Sequence, residues 1–161
     1  MNMRMLKIIL VGFVAVLTLL FAAQNVVNLE AAKTVVGIVL SMDGQEYYAD
    51  SLGPAITSPV LVWIALWTII GMEFLAGLLS AKGVWDMWSA RNATAEVFKQ
   101  SKKYALLGAG CGVIVWMGFF GAIGGTYFQM WQTELGAMSL DGAFQYFVTC
   151  GFVLVFVSMA E

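Results

Sequence analysis

The sequence predicts an all-α membrane protein: a bundle of four transmembrane helices with an amphipathic helix in the first outer loop. Three observations carry this. The 161 residues are 61% hydrophobic and only 11% charged, where a soluble domain is nearer half apolar and a quarter charged. The apolar residues gather into four runs of about 20, each long enough at ~1.5 Å per residue to cross ~30 Å of hydrocarbon. The cations collect on one side of those runs, as a multi-span chain with one basic face requires. Four spans with short connections form a single domain over 1–161 and leave no room for a separate soluble one.

The first span is read over 5–23, behind Arg4 and interrupted early by Lys7. A cleaved signal peptide shares the basic start and apolar core, but small-x-small spacing is poor around Phe21-Ala22-Ala23-Gln24, so a retained helix is expected. The connection 24–56 is the longest polar stretch. Within it Leu29, Ala32, Val36, Val39 and Leu40 recur at helical spacing behind Asn28, a candidate N-cap. About 13 residues is too short to span, which predicts an amphipathic helix at the membrane surface or over the bundle mouth. A two-stranded piece is the alternative there. Tyr47 and Tyr48 follow as interfacial aromatics.

The second span, 59–80, is the anchor of the reading. Ser58 stands as N-cap and Pro59 at the first helical position, where a missing N–H costs nothing. Inside it lies Glu73, the one ionisable residue deep in any span. The connection 81–103 begins with Trp85 and Trp88, three apart as interfacial anchors are, and Thr94 is expected to cap the helix leading onward. The third span, 104–128, is rich in glycine. At ~100° per residue Gly110, Gly118, Gly121, Gly124 and Gly125 share one sector, with Gly108 and Gly112 nearly opposite. Small residues let membrane helices approach closely, so Gly110, Gly118, Gly121 and Gly125 are expected to pack within the bundle or against a second copy. Tyr127 and Trp131 form an outer belt. The fourth span is read over 142–160.

Orientation follows from charge. Arg4, Lys7, Lys82, Arg91, Lys99, Lys102 and Lys103 flank one side and only Lys33 the other, which places both termini and the middle connection in the cytoplasm. The opposite side is acidic.

Most chemistry is absent. The chain has no histidine, which removes the commonest metal ligand and neutral-pH general base. Cys111 and Cys150 fall inside spans and read as small packing residues. No triad, phosphate loop or zinc spacing is present, the methionines form no copper pattern, and no cofactor is expected. The middle basic segment reads as contact with lipid headgroups, not nucleic acid. Glu73 remains. A carboxyl with Ala65, Ala76, Gly77 and Ser80 on its helical face points towards another helix. It is either a proton, cation or ligand site, or a structural acid bonded to a neighbouring span.

Several landmarks occur together: Leu40-Ser41-Met42-Asp43, Ile56-Thr57-Ser58-Pro59, Glu73, Gly124-Gly125 followed by Phe128-x-Met130-Trp131-Gln132, and Phe144-x-Tyr146-Phe147. In these the chain resembles an uncharacterised bacterial family, the predicted small integral membrane proteins, a domain of unknown function. The resemblance covers nearly the whole chain and implies four helices in a bacterial inner membrane. Thr126 and Gln145 depart from it, standing where many members are expected to carry an acidic and a basic residue. It implies no activity. A non-catalytic accessory or assembly subunit, or a homo-oligomer, is therefore the first expectation, with lipids and other membrane subunits or itself as partners. A small transporter or lipid/quinone-binding protein using Glu73 is the second.

Overall fold

A computed structural model describes residues 2–48 and 50–160. Among them there is no strand, and four helices are long and apolar enough to cross a membrane. Helix α1 is Met3–Val27, α2 Leu29–Ser41, α3 Pro59–Ser89, α4 Ala95–Ser101, α5 Lys103–Val113 and α6 Glu134–Ser158. Helix α5 runs directly into a wider, π-helical segment, Ile114–Tyr127, and a 3₁₀ turn, Met130–Gln132, precedes α6. The bundle packs α3 between α1 and α5, and α6 against α5 and its π-helical continuation. Between neighbours around the ring of spanning helices, the α1–α6 seam is the loosest.

Glycines set the close approaches. Gly77 leaves no room for a Cβ beside Leu19 and Thr18, Gly83 none beside the Ala105 backbone, and Gly108 none beside Ser80. A Cβ on Gly112 would stand 2.8 Å from Cys150 Sγ. These contacts join α3 to α1 and α5, and α5 to α6, by the small-residue packing that membrane helices use. The expected sector fares differently. Gly110 faces open space, and Gly118 and Gly121 meet only atoms of their own helix, at 3.9 and 3.7 Å. Only Gly125, against Leu140, and Gly124, against Met130, are shut in. Within α5 the sector that packs is the opposite one, because Gly108 and Gly112 face α3 and α6.

Helix α3, 31 residues and so about 46 Å long, outruns the 25-residue α1. Its surplus length is covered by α2. Gly12 lies against Val84 and Gly37 against Val62, Lys33 Nζ sits 4.7 Å over the Trp63 ring, and Ile56 N–H donates to Leu40 C=O at 2.7 Å. Residue numbers on the two sides fall as the others rise, so α2 continues the line of α1, antiparallel to α3. The helix expected at the membrane surface or over the bundle mouth thus lies alongside the first turns of α3.

The join is at Asn28, whose ψ of 40° departs from helical values. Asn28 N–H still donates to Gln24 C=O, and its side-chain amide donates to the same carbonyl, both at 2.9 Å. The side chain therefore turns back onto α1 and makes no cap bond to α2. Ser58 likewise stands at the α3 N-cap without a side-chain cap bond, and so does Thr94 before α4. The working caps are Asn2, which accepts from Arg4 N–H at 3.2 Å at the start of α1, and Thr133, which accepts from Gly136 N–H at 3.1 Å and starts α6 eight residues before the expected 142.

Candidate functional site

Glu73 lies about 14 residues, ~21 Å, along α3 from Pro59, near the helix midpoint. It is 1% exposed. Lipid cannot solvate a carboxyl, so protein must supply its partner. That partner is Asn25, whose side-chain amide donates to Glu73 Oε2 at 2.9 Å. No other hydrogen bond reaches the carboxyl among the described residues, which leaves Oε1 without one. Asn25 lies three residues before the break at Asn28. The interruption of the first helix thus falls at the depth of the buried acid.

The pair borders a cavity of about 550 Å³, within the range of small-molecule pockets. Every long element contributes. Helix α1 gives Phe21 and Asn25, α3 gives Leu66, Ile69 and Glu73, the π-helical segment gives Trp116, Phe120 and Gly124, and α6 gives Ala143 and Tyr146. Helix α2 closes it with Ala32, Val35, Val36, Val39 and Leu40. Phe21, Trp116 and Tyr146 form an aromatic trio in its wall, with ring centroids 4.6 Å apart for Phe21–Tyr146, 5.4 Å for Trp116–Tyr146 and 5.8 Å for Phe21–Trp116. Among the described residues that line it there is no lysine or arginine, and Glu73 is the one acidic side chain.

A polar latch holds the connection after α2 against the far end of the bundle. Gln132 Oε1 accepts the backbone N–H groups of Tyr47 and Tyr48 at 2.9 and 2.7 Å. Its amide donates to Gln129 Oε1 at 2.7 Å, and Gln45 donates to Phe128 C=O at 2.5 Å. Gln129 takes a left-handed conformation, φ 50°, to turn the chain there.

The expected aromatics separate into three groups. Tyr47 and Tyr48 meet Trp131 at centroid distances of 6.4 and 5.1 Å. Tyr127 packs instead on Phe128 and fills the space beside Gly53. Trp85 and Trp88 stay exposed at the opposite end, where Arg91 lies 4.4 Å over the Trp88 ring. None of the six touches Glu73. Gly110, Gly118 and Gly121 lie away from the cavity as well, and no group of metal-ligating side chains occurs among the described residues.

Sequence position singles out neither Asn25 nor Trp116, and Tyr146 enters only within the Phe144-x-Tyr146-Phe147 landmark. Asn25 follows the end of the expected first span, although Gln24-Asn25 inside apolar flanks was a visible signal. Trp116 was visible too, since a tryptophan far from both span ends is not an interfacial anchor.

A family model described as predicted small integral membrane protein matches residues 3–160. No curated protein and no solved structure matches the chain.

Proposed function

The chain belongs to the family of predicted small integral membrane proteins, and from that premise we propose that it binds a small amphiphilic molecule inside its helix bundle. The observation that carries this is the cavity with a half-satisfied carboxyl. An apolar space of about 550 Å³ with a few convergent polar groups is what a small-molecule site requires. A carboxyl that borders such a space and receives a single protein hydrogen bond, from Asn25, keeps an oxygen for a ligand's polar group. The break at Asn28 supports a carrier in particular, because discontinuous helices border the midplane sites of transporters and give a hinge beside the ligand. Glu73 and Asn25 engage the polar end of the molecule, and the aromatic wall takes its apolar body. The protein works in a bacterial inner membrane with both termini cytoplasmic, as the cation distribution favours.

The test is retention of a bound small molecule. Protein purified in mild detergent and analysed by native mass spectrometry is expected to carry an added mass. Ala65→Trp, which fills the cavity from α3, is expected to remove that mass without changing helix content. An adduct that survives Ala65→Trp would place the ligand elsewhere.

A second use, contact with another subunit or a second copy, is favoured by one observation. Gly110 and Gly118 are glycines of a membrane helix that meet no other helix of this chain, and such a face suits close approach by a partner helix.

A further inference from the structure

The geometry points to a lipophilic cation, an apolar body bearing an ammonium or phosphonium centre, as the molecule that the cavity takes. This rests on the reading of the cavity as a binding site and adds the charge of its occupant.

Glu73 is almost fully buried, receives one neutral amide on Oε2, and faces a space that no lysine or arginine lines. The nearest cation along the lid is already engaged: Lys33 pairs with Glu30 at 3.6 Å and lies over Trp63. A carboxylate at this depth needs a counter-charge. Among the described residues no lysine or arginine lines that space, so a cationic occupant would supply it.

The wall fits the same occupant. Phe21, Trp116 and Tyr146 turn three rings towards one another within 6 Å. Ring faces carry the negative end of the aromatic quadrupole, and a cavity wall built of such rings attracts an ammonium group, more strongly when water is excluded. Asn25 stands four residues after Phe21, on the same face of α1, so the amide, the carboxyl and the rings border one space. A neutral quinone or lipid head would instead need a hydrogen-bond donor. The Asn25 amide, the Trp116 indole N–H and the Tyr146 hydroxyl border the cavity and would serve it, but a neutral occupant leaves the carboxyl without a counter-charge.

Two probes of nearly equal shape decide it: methyltriphenylphosphonium, a cation, and triphenylphosphine oxide, its neutral counterpart. Binding of each to the full chain in lipid nanodiscs is measured by equilibrium dialysis. The cation is expected to bind at least about tenfold more tightly, a difference of ~1.4 kcal/mol. Glu73→Gln is expected to bring the two affinities together, Glu73→Asp to keep the preference, and Trp116→Leu to weaken the cation more than the oxide. Equal binding of both probes to the unaltered protein overturns the cation assignment while leaving the cavity as a site. A preference that survives in a folded Glu73→Gln variant overturns it as well. Binding of neither probe overturns the cavity reading itself.

Discussion

A single methyl group separates the two glycine sectors of the third span. At Gly108 an added Cβ would press on Ser80 and on the Ala76 carbonyl of α3, whereas at Gly110 it would meet nothing within 4 Å. Backbone atoms cannot swing aside as side-chain ends can. Gly108→Ala is therefore expected to lower stability by ~1–3 kcal/mol through overpacking. Gly110→Ala is expected to be neutral, or to gain up to ~1 kcal/mol from helix propensity. Thermal unfolding of the two variants in the same detergent checks this, and equal melting temperatures would contradict the packing described. The contrast also shows what could be read from residues alone. Helical spacing separated Gly108 and Gly112 from the other glycines correctly, but spacing does not say which sector faces a neighbour. Rotation about the helix axis is set by contacts with α3 and α6, and one strand of text holds no record of them.

Among the elements, the helices whose ends carry strong local chemistry were the legible ones. Pro59 can sit at a helix start and nowhere inside, so the beginning of α3 was plain. The start of α6 was not. Thr133-Glu134-Leu135-Gly136 contains a good cap, yet Gly136, Asp141 and Gly142 look like a loop until the turn at Gln129 folds them onto the bundle. The π-helical stretch was hidden too, because i→i+5 bonding has no composition of its own; here it shows in Phe128 N–H donating to Ile123 C=O at 3.0 Å. The latch at Gln132 depends on the same tertiary closure. Gln132→Ala removes the acceptor of two backbone N–H groups and the donor to Gln129. It is expected to free the connection 42–58, with amide hydrogen exchange at Tyr47 and Tyr48 rising by roughly tenfold or more, for ~1–3 kcal/mol of unsatisfied bonding. Exchange at α1 should not change. Unaltered protection at the two tyrosines would show that other contacts hold the loop.

At the scale of the whole molecule, four spanning helices require residues 51 and 89 to lie on opposite faces of the membrane. Ser51 and Ser89 are both exposed. In a background without Cys111 and Cys150, Ser51→Cys is expected to react with an impermeant thiol reagent from outside intact cells. Ser89→Cys is expected to react only after lysis. Labelling of both from one side would contradict the orientation. Membrane class and helix number followed from composition and run length, which need no tertiary information. The cavity did not, since Asn25, Glu73, Trp116 and Tyr146 come from four helices and no local pattern joins them.

The basic end of the bundle has a consequence for the order in which the protein is made. Arg4 donates to the carbonyls of Arg91 and Ala93 at 3.0 and 2.7 Å. The buried Lys7 and Lys102 both donate to the Met159 carbonyl, at 2.7 and 2.9 Å. Lys7 and Met159 are 152 positions apart, and at ~5–20 residues per second a ribosome needs on the order of ten to thirty seconds to produce the second after the first. Through that interval the Lys7 amine has no Met159 carbonyl to bind, and it belongs in water. The first helix thus has reason to keep its basic start at the membrane surface until α6 arrives. Closing the ring of helices waits on a segment made 152 positions after Lys7.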